Sequence, residues 1–262
     1  MRISSKPTKK RFYVIILSTL VFLTSFFYKN SILKYIGDET FGGCCYNLTI
    51  AKASYTILSW HLPEIIIPLG EASSSILRIS YGKPSEWANH QLARIAFVSG
   101  DQNTALDYIN KEIEYYPDNM NAYYMKGLIL GFMNNDHMAI ETFKYYTSKT
   151  HTWAGHNDLA WLQFKIGDYQ GAFDTIDKVY KDNPNNIWVL NTRAIALYNL
   201  KRYKEAQADI DNALRNYKTF TPERWGASYP GNNPKIYDEG YAQMGKSLDD
   251  NRGLIYTALN IK

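Results

Sequence analysis

Apolar residues recur through the middle of this chain at helical spacing, and the pattern then repeats itself. Between Glu86 and Val98, Leu92, Ile95 and Ala96 fall on one helical face. Ser99-Gly100-Asp101 interrupts the run. Gln102 to Tyr115 then carries Ala105, Leu106, Ile109 and Ile113 at steps of three and four, the mark of an amphipathic helix, and Pro117 ends it. Three sets of residues advance together by about 34 positions. Ala93, Gly127, Ala160 and Ala194 form the first; Ala105, Ala139, Ala172 and Ala206 the second; Ile109, Phe143, Ile176 and Ile210 the third. The chain therefore predicts four helical hairpins, over 86–119, 120–152, 153–186 and 187–220. The third repeats the punctuation of the first, in Gly167-Asp168 and Pro184. The second and fourth are looser, with Asn134-Asn135-Asp136 and Lys201-Arg202 in place of the glycine turn.

The small residues have a packing reason. Two antiparallel helices approach closely only where side chains are short, so Ala or Gly in one helix faces Ala in the other. Ile or Phe then fills the space one turn on. One hairpin leaves an apolar face open, and stacked neighbours cover it, which is why such units come in arrays.

These positions, with aromatics at Tyr123, Tyr169 and Tyr203 and prolines at Pro117 and Pro184, resemble the tetratricopeptide-repeat (TPR) superfamily over about half the chain. Asn89, His156 and Leu190 depart from the resemblance, standing where an aromatic is common. The resemblance implies an all-α fold, a right-handed α-solenoid of hairpins whose first helices line a concave, peptide-binding face. Carried onto this chain, that groove comprises Trp87, His90, Arg94 and Phe97 in the first unit and Tyr124, Leu128 and Phe132 in the second. It continues with Asn157, Trp161, Phe164 and Lys165 in the third, and Trp188, Asn191, Ile195 and Tyr198 in the fourth. Aromatic side chains offer large apolar contacts, as at binding hot spots. Asn157 and Asn191 recur at one place and have the paired donors and acceptors that hold a peptide backbone. The expected partner is a protein segment with apolar side chains. The competing readings are that half of these aromatics are core, or that the end of the chain itself covers the groove.

The flanks add a second expectation. Met1 to Arg11 is basic (Arg2, Lys6, Lys9, Lys10, Arg11), and Phe12 to Tyr28 has no charged residue, the short end of a membrane-spanning helix. The run ends in Ser25-Phe26-Phe27-Tyr28, too bulky for a signal-peptidase site, so an uncleaved anchor is expected. The basic flank places the N-terminus in the cytoplasm and the repeats outside it. Gly42-Gly43-Cys44-Cys45 contains the only two cysteines, without metal-site spacing, and Asn47-Leu48-Thr49 matches a glycosylation pattern. Tyr46 to Leu62 and Glu71 to Ser80 read as a degenerate leading hairpin in the segment 29–85. After Lys218 a turn-rich stretch, Tyr229-Pro230-Gly231-Asn232-Asn233-Pro234, leads into helical spacing from Ile236 to Leu259. One or two capping helices are expected there, weakened by Gly240, Gly245 and Gly253.

The whole chain has 262 residues and a formal net charge of +4, too mild and too mixed to argue for nucleic acid. Its histidines, His61, His90, His137, His151 and His156, form no metal-ligand motif. No phosphate-binding loop or nucleophile elbow is present. Neither a catalytic residue, a metal nor a cofactor is expected. The sequence reads as a membrane-anchored scaffold or adaptor for envelope complexes. Self-association through the repeats, without a peptide ligand, is the alternative.

Overall fold

The computed structural model describes residues 86–220 and 234–260. Helices come in pairs: α1 (Ala88–Val98) with α2 (Gln102–Tyr115), α3 (Met120–Phe132) with α4 (Asp136–Lys149), α5 (Trp153–Lys165) with α6 (Tyr169–Tyr180), and α7 (Ile187–Asn199) with α8 (Tyr203–Tyr217). A longer helix, α9 (Pro234–Asn260), follows. Each pair packs against the next, and first helices also touch first helices of the neighbouring unit. The described residues contain helices and turns and no strand. Among them, no helix is long and apolar enough to cross a membrane. The expected anchor at Phe12–Tyr28, the leading hairpin, Cys44, Cys45 and Asn47 lie outside the described residues.

All four hairpins turn in the same way, including the two that lack glycine. Gly100, Asn134, Gly167 and Lys201 take φ of 87°, 56°, 85° and 62°, the left-handed region. In each case the next residue's N–H reaches back six residues inclusive, from Asp101 to Ala96 O, Asn135 to Leu130 O, Asp168 to Gln163 O and Arg202 to Leu197 O, all at 2.9 Å. This Schellman arrangement satisfies the last carbonyls of the first helix. The second helices then start at once. Asp101 and Asp168 accept from Thr104 N and Gly171 N, capping α2 and α6. Thr152 and Asn186 cap α5 and α7 through Gly155 N and through Trp188 N and Val189 N.

The small-residue sets meet at the centre of the array, where Ala93, Ala105, Ala139, Ala160, Ala172, Ala194 and Ala206 are fully buried. Gly127 faces Phe143, and a Cβ added at Gly127 would lie 2.6 Å from the ring. The unit with the largest filler thus has the smallest partner. α1 starts without a side-chain cap of its own. Instead Glu112, buried in α2, accepts from Trp87 N (2.7 Å), His90 N (3.3 Å) and Asn119 Nδ2 (3.1 Å). Burial raises its carboxyl above the usual range against the pull of those bonds.

α9 is one unbroken helix despite its glycines, and it takes the place of the first helix of a further unit. Asn251 Nδ2 donates to Asn191 Oδ1 (2.9 Å), as Thr192 Oγ1 donates to Asn157 Oδ1 (2.8 Å) one unit earlier. Arg252 Nε reaches Asp211 (3.3 Å), as Arg193 Nε reaches Asp177 (2.8 Å). In this register Gly253 stands at the small-residue position. Leu248 and Ile255 fall where Val189 and Ala196 fall in α7, and all four are fully buried. Tyr217 Oη donates to Tyr241 O, and Tyr241 Oη to Phe220 O, with the two rings stacked at 4.6 Å.

Candidate functional site

The expected groove residues lie on the first helices of the four pairs, or just before one in the case of Trp87, and differ in how far they reach solvent. At the N-terminal end His90 and Arg94 are buried. Burial holds the His90 imidazole down to about 3, so it is neutral at ordinary pH, and lowers the Arg94 guanidinium to about 9. Trp87 packs edge-on to His90 at 5.0 Å from a left-handed backbone (φ 71°). Phe97 is partly buried and meets Phe132 edge-on at 5.0 Å. Phe132 itself is 64% exposed.

The middle of the face is aromatic and open. Trp161 is 50% exposed and stacks on Phe164 at 5.4 Å, and Phe164 lies against Tyr169 at 5.4 Å. Leu128 packs beneath, against the core of the second and third units. Met133 and Ile166, which the sequence did not single out, extend the exposed apolar surface at the helix ends. Lys165 reaches back to Asp136 (2.8 Å) and Asn134 (3.3 Å), so its charge is compensated by the preceding hairpin. Tyr198, in the fourth unit, is partly buried against Tyr203 at 5.7 Å.

At the C-terminal end the expected residues are buried or already engaged within the array. Trp188 is buried among Trp153, Phe220 and the residues that pack on Leu248 and Ile255. Ile195 is also buried. Asn191 and Asn157 are held by Asn251 and Thr192, so the side-chain oxygens expected to hold a peptide already accept bonds within the array. A third such rung joins the second and third units: Tyr124 Oη donates to Asp158 Oδ2 at 2.7 Å. Sequence reading missed Asp158, although it stands beside Asn157. Burial pushes its carboxyl up to about 6, against the Tyr124 and Asn157 hydrogen bonds that pull it down.

The chemistry on this surface is that of contact and hydrogen bonding. Among the described residues, no group of His, Cys, Asp and Glu is placed to hold a metal ion. His151 and His156 come together, rings 5.5 Å apart, but each has its own structural partner. His156 Nδ1 donates to Thr152 O at 2.9 Å, and exposed His151 meets Asp182 at 3.1 Å.

No protein-family model and no curated protein matches the chain by sequence. Its fold is similar to that of solved structures. One is YrrB, a TPR protein with an unusual peptide-binding site, at a TM-score of 0.51 and 14% identity, covering 73% of this chain and 99% of YrrB. Another is MamA AMB-1, at a TM-score of 0.52 and 12% identity, covering 66% of this chain and 93% of that one. At such identities the likeness is one of fold. Four in-register units, paired helices with one shared turn, and these neighbours together make the described chain a tetratricopeptide-repeat fold.

Proposed function

We propose that this chain is a protein-interaction scaffold that holds an extended or helical apolar segment of a partner along its first-helix face. The observation that carries this reading is the exposure of two large rings, Phe132 and Trp161, on the first helices of adjacent units. Large apolar side chains left in water beside Met133 and Ile166 are the kind of surface that a partner covers. The useful part of the face runs from Phe97 to Tyr198 through Phe132, Trp161 and Phe164. His90, Arg94, Trp188 and Ile195 support it from below.

Replacing Phe132 and Trp161 together by alanine is expected to abolish capture of cross-linked partners from native membranes, with the helical melt unchanged. Retention of the same partners by the double variant would sink the reading. Trp188 is unsuited to this test, because removing a buried tryptophan costs about 3–5 kcal/mol of stability by itself.

The cellular setting is a further part of the proposal. Basic Met1–Arg11 before apolar Phe12–Tyr28 supports a single-pass anchor with the repeats outside the cytoplasm, where they would serve envelope complex assembly. Protease added to intact spheroplasts should then digest the repeats. Protection of the repeats until the membrane is opened would overturn that orientation.

A further inference from the structure

Asp158, on a first helix of the array, has no cation paired with it among the described residues. Asp158 lies on α5, three residues before Trp161, so the two side chains share one side of the helix. Its oxygens accept from Tyr124 Oη at 2.7 Å and, at 3.4 Å, from Asn157 Nδ2, both neutral donors. No ion pair to Asp158 occurs among the described residues. A carboxylate has about four acceptor positions, so two neutral donors leave acceptor capacity on it. The only other charge farther along this stripe of α5, Lys165, is spent on Asp136. The acidic neighbours Asp177 and Asp209 are likewise matched, by Arg193. Asp158 is half-buried, three residues before a half-exposed indole, and meets only neutral donors among the described residues.

We propose that this place is a subsite for a basic side chain, arginine before lysine, carried between apolar residues of an extended partner segment. The Asp158 carboxylate takes the charge, and the Trp161 ring takes the flat face of the guanidinium. Arginine suits the pair better than lysine because its planar group both stacks on an aromatic ring and donates sideways to a carboxylate. Tyr124, donating from the preceding unit, fixes the carboxylate in position before any partner arrives. This inference rests on the reading of the face as a binding surface, and it adds the chemistry that the face selects.

The test uses the full-length chain and three labelled peptides, identical in their leucine and phenylalanine flanks, with arginine, norleucine or glutamate at the centre. By fluorescence anisotropy the arginine peptide should bind about tenfold tighter than the norleucine peptide, and glutamate weaker than both. Asp158→Asn keeps an acceptor for Tyr124 and should erase the preference for arginine over norleucine. The wild-type preference should also shrink as salt rises from about 0.05 M to about 0.5 M, a measurement that needs no variant. Equal binding of all three peptides, or a preference that survives in Asp158→Asn, overturns the subsite. If Trp161→Ala still abolishes binding in that case, the face stands without it. Failure of every peptide to bind, or binding indifferent to Phe132→Ala with Trp161→Ala, overturns the face and the subsite together.

Discussion

Gly127 and Phe143 show how one residue's size is set by another far along the chain. In three units alanine at the small position is matched by isoleucine in the second helix; in one unit glycine is matched by phenylalanine. A methyl group on Gly127 would sit 2.6 Å from a ring that is itself 1% exposed and has little room to retreat. Gly127→Ala should therefore lose about 1–3 kcal/mol of stability in urea, even though alanine is the better helix former. Phe143→Ile alone leaves a void and should also destabilise. The two changes combined recreate the pairing of the other units, so the double variant should be more stable than Gly127→Ala alone, a coupling that a double-mutant cycle measures. Additive losses would show that the volumes are not matched as a pair.

At the scale of the element, the turn between paired helices obeys backbone geometry and not glycine content. Glycine at 100 and 167 was legible as a turn, whereas Asn134 and Lys201 made the second and fourth units look looser than they are. The left-handed residue is required in all four, and Lys201 occupies it against the steric preference of an L side chain. Lys201→Gly should raise the urea midpoint by the equivalent of about 0.5–1 kcal/mol, the relief of strain less the extra freedom gained by the unfolded chain. No gain, or a loss, would mean that the lysine side chain contributes more than its backbone costs. The hairpins themselves were readable because small, apolar and helical periods coincide. α9 was readable as a helix but not as a repeat element. Its Asn251, Arg252 and Gly253 occupy the places of Thr192, Arg193 and Ala194, but the segment before them breaks the spacing. The cap supplied to α1 by Glu112 was not readable at all, since a buried glutamate in a helix looks like an ordinary polar position.

For the molecule as a whole, the sequence reading drew no distinction of exposure among the expected groove residues, and the structure does. Trp161 and Trp188 belong to the same class of expected groove residue, yet one is half in solvent and the other is buried against Trp153 and Phe220. The difference comes from which rings each meets, Phe164 for Trp161 and both Trp153 and Phe220 for Trp188, and helical periodicity alone does not distinguish them. The array is also unequal along its length. Its C-terminal end is closed by a cluster in which Ile187, Leu190, Leu197, Ile210, Leu248 and Ile255 are buried together, and packing elsewhere runs from each unit to its neighbour. In such a linear array a loss at one end is felt by the next unit first and falls away with distance. Ile255→Ala removes a fully buried side chain and should cost about 2–5 kcal/mol locally. In native-state hydrogen exchange, α7 and α8 should then exchange faster, by about tenfold for each 1.4 kcal/mol lost. α1 and α2, three units away, should keep their protection, and the central face around Trp161 should bind as before. An equal acceleration in α1 and α2 would show instead that the units open together. In that case α9 would govern the stability of the binding face as well as that of its own end of the array.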